Sequence, residues 1–162
     1  GPQRFPTSGD AIFWENVSLS ALMPDNASIF ICDYKQREQV RQGRASATQI
    51  LSQHEGGPLG IKGVDYLVLG SADVKESINS WSSLIGPERV DAEMLRFIEG
   101  PDIRIISSEH EGFLAIALSV ASLEGAASYL KSHNLIGSEE SSSVSIAPAK
   151  LQGLHISLVE KG

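Results

Sequence analysis

The stretch IKGVDYLVLG at 61–70 runs almost directly into SADVKESINSWSSLIG at 71–86, and that junction decides the fold. The first segment is rich in Ile, Val, Leu and Tyr and reads as a strand. In the second, Val74, Ile78, Trp81 and Ile85 fall at i, i+4, i+7 and i+11, one continuous apolar stripe of a helix. DAEMLRFI at 91–98 and PDIRIISS at 101–108 follow as two more strands. The same order then returns: FLAIALSVAS at 113–122, LEGAASYLKSHNL at 123–135, SSVSIA at 142–147 and LQGLHISLVEKG at 151–162. A strand–helix–strand–strand unit of about 50 residues thus occurs twice between Ile61 and Glu160, which predicts a pseudo-symmetric domain with a binding cavity between its halves.

The boundaries of the first helix have chemical markers. Ser71 is a plausible N-cap, because its hydroxyl can accept from a free first-turn N–H, and Gly86-Pro87 stops the helix. Trp81 lies on the stripe and is expected in the core.

Strand residues alternate faces, so each strand divides into a set toward the helices and a set toward the cavity. Leu67 and Leu69 are expected to meet the helix, with Tyr66 and Val68 on the concave side. Ile103 and Ile105 are assigned to the core, which puts Arg104 and Ile106 opposite. In FLAIALSV the bulky set is Leu114, Ile116, Leu118 and Val120, leaving Phe113, Ala115, Ala117 and Ser119 on the hollow side. Leu154, Ile156 and Leu158 form the last core face, leaving His155, Ser157 and Val159 inward.

This order of elements resembles the vicinal oxygen chelate superfamily, the glyoxalase- and bleomycin-resistance-like domains, over about 100 of the 162 residues. The resemblance implies an α+β fold: paired βαβββ-type modules forming a curved, mostly antiparallel sheet with helices on its outer face. In metal-dependent members, inward His, Gln or Glu side chains on the opening and closing strands bind a divalent ion. Here the matching positions carry Tyr66, Ala115 and Ser157, none of which supplies ligand chemistry of that kind. The resemblance therefore implies no metal and no cofactor.

The candidate site is the inward polar set. Arg104 suits a carboxylate, which a guanidinium grips through two parallel hydrogen bonds; its structural alternative is a pair with Glu93 or Asp102. His155 is the best available general base, the candidate catalytic residue if there is catalysis. Tyr66, Phe113, Ser119 and Ser157 complete the expected substrate-binding set. The other histidines carry less: His54 in a turn, His110 between Glu109 and Glu111 in a solvated hairpin, and His133 at a helix C-terminus.

Upstream of the repeat, 10–19 and 28–34 read as two strands, 35–53 as a polar helix anchored by Val40, Ala47 and Ile50–Leu51, and HEGGPLG at 54–60 as a Gly/Pro turn. IFICDY, the helix and HEGGPLGI resemble the junction of tandem glyoxalase-like proteins. Residues 1–34 are then expected to be the last strands of an upstream domain, 35–60 a linker and 61–162 the glyoxalase-like domain. Such a hairpin is expected to dock on a sheet edge of a second copy, in a homodimer, or of that upstream domain.

Composition narrows the rest. A net charge of −7 disfavours non-specific nucleic-acid binding, and the one basic cluster, Lys35 to Arg44, is diluted by Glu38 and glutamines. No apolar run is long enough for a bilayer, so no membrane partner is expected. The single Cys32 fits a reducing, cytoplasmic setting. The expected function is metal-independent binding of a small molecule, a carboxylate-bearing or aromatic one. The alternatives are a lyase, isomerase or dioxygenase using His155 or a metal completed by an upstream domain, and a structural assembly module.

Overall fold

The computed structural model describes residues 3–4, 11–12, 14–19 and 30–160. The N-terminal part contains β1 (Gln3–Arg4), β2 (Ala11–Ile12), β3 (Trp14–Ser18), β4 (Phe30–Tyr34) and α1 (Arg37–Gln53). β1 pairs antiparallel with β2, and β3 with β4; both are separate two-stranded sheets. Residues 10, 13, 28 and 29 of the expected strands lie outside the described residues. Glu15 and Asp33 face each other across the β3–β4 ladder, a like-charge pair that Lys35 offsets with Nζ 3.1 Å from Glu15 and 3.6 Å from Asp33. Arg37 opens α1 by donating Nε and Nη2 to the same Asp33 oxygen, at 3.2 and 2.7 Å.

α1 forms where expected but buries none of its residues. Its expected anchor Ile50 stays 57% exposed. The turn after it needs glycine: Glu55, Gly56, Gly57 and Gly60 all have positive φ, and a Cβ on Gly56 would strike the Ile61 backbone.

From Ile61 onward the two halves appear in order. The first is β5 (Ile61–Ser71), α2 (Val74–Ile85), β6 (Val90–Asp91), β7 (Met94–Leu95) and β8 (Asp102–Ser107). The second is β9 (Gly112–Val120), α3 (Leu123–Ser132), β10 (Ile136–Glu139), β11 (Ser143–Ile146) and β12 (His155–Glu160). In each half three strands follow the helix, and the eight strands together make one sheet ordered β10-β11-β12-β9-β5-β8-β7-β6. β5 and β9 pair antiparallel at the centre, while each leading strand runs parallel to the last strand of its own half. The expected strand over 91–98 is instead a tight β6–β7 hairpin that turns at Ala92, whose φ is 53°. β10 was not anticipated.

Each half has its own core. Leu69, Trp81, Leu95 and Ile105 are buried under α2, with Val74, Ile78, Ile85 and Ile103 packed against them. Trp81 meets Phe97 edge-on, ring centroids 6.4 Å apart. Under α3 the buried set is Val120, Ala126, Ala127, Leu130, Val144, Ile146 and Leu158. Two alanines let α3 lie close to its sheet, and each large side chain there contributes roughly 1.5–3 kcal/mol of burial. Leu154, expected in this core, is 39% exposed, since it precedes β12 and has no sheet neighbour to set its face.

Caps tie helices to strands. α2 is capped by Asp73, whose carboxylate accepts from the Glu76 N–H at 3.0 Å. Ser71, the expected cap, is still strand: only 3% exposed, its hydroxyl 2.7 Å from that of Ser77 and accepting the Asp73 N–H at 3.2 Å. α3 is capped by Ser122, and Glu160 at the end of β12 accepts the Leu123 N–H at 2.9 Å. An acidic group from the last strand therefore satisfies the positive end of a helix 37 residues earlier.

Candidate functional site on the open sheet face

Cross-strand partners share a face, so the registers define which side chains lie together. Opposite the two cores, one row runs Met94, Arg104, Val68, Ala115 and His155 across β7, β8, β5, β9 and β12. The next row runs Asp102, Tyr66, Ala117, Ser157 and Ser145. A third contains Ser119, Val159 and Ser143, with the Ser119 hydroxyl donating to the Gly63 carbonyl at 3.4 Å. Five of the six candidate residues, Tyr66, Arg104, Ser119, His155 and Ser157, thus share the face expected for them.

Phe113 does not. Val68 pairs with Ala115 but Leu69 pairs with Phe113, so Leu114 is an extra residue and β9 bulges there. Phe113 takes the register of Leu69, on the helix side, and is 46% exposed at the strand end. Leu114 moves to the open face instead: its Cδ1 lies 2.9 Å from where a Cβ on Gly70 would be. Strict alternation assigned both residues to the wrong side, and nothing in FLAIALSV marks the bulge.

The rows also expose the internal symmetry. Tyr66 to Ala115 and the helix starts, Val74 to Leu123, are both offset by 49 residues; Asp102 to His155 and Arg104 to Ser157 are both offset by 53. Tyr66 and Ala115 are therefore equivalents, and so are Arg104 and Ser157. The four positions at which this symmetry would place a metal hold a phenol, a methyl, a hydroxyl and a guanidinium. Arginine offers no lone pair and adds a fixed positive charge, so this donor set does not fit a divalent ion. Among the described residues no group of three or more His, Cys, Asp or Glu side chains could hold a metal.

Arg104 is exposed and has no ion pair among the described residues. The expected competitor Asp102 is taken: Arg96 Nη1 donates to it at 2.6 Å and the Phe97 N–H at 3.1 Å. The hydrogen bond that Arg96 donates to Asp102 raises the Arg96 pKa above the ordinary guanidinium value. Glu93 contributes its carbonyl, which accepts from the Ile105 N–H at 2.8 Å. Sequence reasoning missed Arg96, although its place six residues before Asp102, across a hairpin, was the available signal.

The remaining histidines have structural partners or none. His133 is the C-cap of α3, Nδ1 donating to the Tyr129 carbonyl at 2.9 Å with its ring stacked on Tyr129 at 4.0 Å. His110 is exposed, and the neighbouring Glu111 carboxylate accepts the Ala72 N–H at 3.4 Å.

Two βαβββ halves with β5 and β9 central make the α+β fold with one curved sheet that was expected from the sequence. Among solved structures, methylmalonyl-CoA epimerase from Mycobacterium tuberculosis is similar with a TM-score of 0.54 and 17% identity, covering 63% of this chain and 89% of that one. A Streptomyces coelicolor methylmalonyl-CoA epimerase variant in complex with 2-nitronate-propionyl-CoA is similar with a TM-score of 0.52 and 14% identity, covering 63% and 96%. No protein-family model matches the chain. No curated protein matches it by sequence. No helix among the described residues is long and apolar enough to cross a membrane.

Proposed function

We propose that this protein binds a small carboxylate-bearing molecule on the open face of its sheet, without a metal. The observation that carries the reading is Arg104: an exposed guanidinium on that face with no ion pair among the described residues, while Asp102, two residues before it, is held by Arg96. A guanidinium so placed suits a carboxylate, the ligand its two-pronged geometry fits. Val68, Ala115 and Ala117 supply a small apolar floor, and Tyr66, Ser119 and Ser157 supply hydroxyls around it. Calorimetry with short aliphatic carboxylates tests this. Binding that persists in EDTA, vanishes in Arg104→Met and is absent for the methyl esters supports it; esters binding as well as acids sink it.

A second reading is an isomerase. It draws on the two epimerase neighbours above and on His155, which shares the Arg104 row. In this reading Arg104 orients a carboxylate while His155 takes a proton from the adjacent carbon, and water reprotonates the resulting enolate on its opposite face. Deuterium entering the C2–H of methylmalonyl-CoA in heavy water, lost in His155→Leu, would favour it over simple binding.

A further inference from the structure

Arg104 and His155 bound the stretch of one row that crosses β8, β5, β9 and β12, with Val68 and Ala115 between them and Met94 beyond Arg104. Three inter-strand steps of about 4.8 Å put their backbones about 14 Å apart along the sheet. A long arginine stem and a histidine ring extending from a curved floor close much of that span. What is left suits a few methylene groups at ~1.5 Å per bond. The floor between them has no charge and no hydroxyl, while the hydroxyls of Tyr66 and Ser157 lie in the adjoining row. Neither Arg104 nor His155 has an ion-pair partner among the described residues, so both ends of that stretch have donors to spare.

We propose that the ligand is a short dicarboxylate, one acidic end gripped by Arg104 and the other hydrogen-bonded by the imidazole N–H of His155. This rests on the carboxylate reading above and narrows it to a chemical class. A single carboxylate would leave one donor unused. A dicarboxylate satisfies both and lays its carbon chain on the valine and alanine.

The test is calorimetry on the full chain with glutarate and adipate, their one-ended counterparts pentanoate and hexanoate, and the longer sebacate. The expected result is that glutarate or adipate binds about tenfold tighter than the matched monocarboxylate, and that sebacate, too long for the row, does not. In His155→Leu the short diacids fall to the monocarboxylate level while the monocarboxylates are unchanged. His155→Gln, which keeps an N–H donor, restores most of the difference. Diacids and monoacids of equal affinity, or a His155→Leu loss shared by both, overturn the dicarboxylate and leave the Arg104 carboxylate site standing. Failure of all five acids to bind overturns both.

Discussion

Arg96 reaches across the β7–β8 connection to hold Asp102 at 2.6 Å, two residues before Arg104 on the same face of β8, so that carboxylate is engaged away from Arg104. The charge on the open face thus depends on a residue outside the row it serves. Arg96→Met should free Asp102 to pair with Arg104. Carboxylate affinity is expected to fall about tenfold by calorimetry, while the unfolding midpoint stays close to that of the parent protein, since the Arg96 side chain is half exposed. An unchanged affinity would show that Asp102 cannot reach Arg104.

The symmetry-equivalent positions make a metal-gain experiment possible. The unchanged protein should hold no stoichiometric divalent ion after dialysis against zinc or cobalt. Tyr66→His, Ala115→His, Arg104→Gln and Ser157→Glu together restore acceptors at all four positions and should bind one cobalt per chain, read from its visible absorption. A stoichiometric metal on the unchanged open face would contradict the donor argument.

Gly70 sits beneath the β9 bulge. An alanine there would meet the His110 carbonyl oxygen and place its Cβ 2.8 Å from that of Ser108 and 2.9 Å from Leu114 Cδ1. Backbone cannot yield as a flexible side chain can, so Gly70→Ala should cost about 1–3 kcal/mol in denaturant unfolding. Gly43→Ala, with nothing within 4 Å, serves as the neutral control.

At the start of α1, the Arg37 hydrogen bond, with Lys35 nearby, holds the Asp33 carboxyl below its ordinary value of 3.8. A depressed carboxylate contributes stability that is complete above the unfolded-state value and disappears as pH falls through the folded one. Hydrogen exchange at 33–40 should therefore be unaffected between pH 5 and 7, by ordinary rate-corrected comparison, and accelerate only below about pH 4. In Asp33→Asn the extra acid sensitivity should be gone.

The β3–β4 hairpin presents Val17, Phe30 and Ile31 half exposed or more, and pairs with no third strand among the described residues. Its ladder edges are expected to bind another chain. Sedimentation at micromolar concentration should show a dimer that Ile31→Lys, paired with Val17 in that ladder, shifts to monomer. A monomeric parent protein would count against this docking.

Much of this arrangement was legible in the chain itself because it follows from periodicity. The α2 stripe through Val74, Ile78, Trp81 and Ile85 is the packed face, and the alternation in DIRIIS correctly separates Ile105 from Arg104. What periodicity could not convey was where one element yields to the next. Ser71 and Asp73 are both good caps, and the choice was made by β5 continuing through Ser71 to pair with Ser107. Phe113 and Leu114 exchanged faces through a bulge whose cause is tertiary. The pairing of Asp102 with Arg96 in place of Arg104 was set by the β6–β7 hairpin, whose two-residue strands fall below any periodic signal.

The 49- and 53-residue offsets have one more consequence. Were the halves identical, a bound molecule could be lifted out, turned end for end and set back at no cost. Arg104 opposite Ser157 and His155 opposite Asp102 remove that freedom, for rotation by half a turn exchanges a cation for a hydroxyl and an imidazole for an acid already engaged. The cradle therefore has a head and a tail, and a molecule whose two ends differ is expected to lie along the sheet in one direction only.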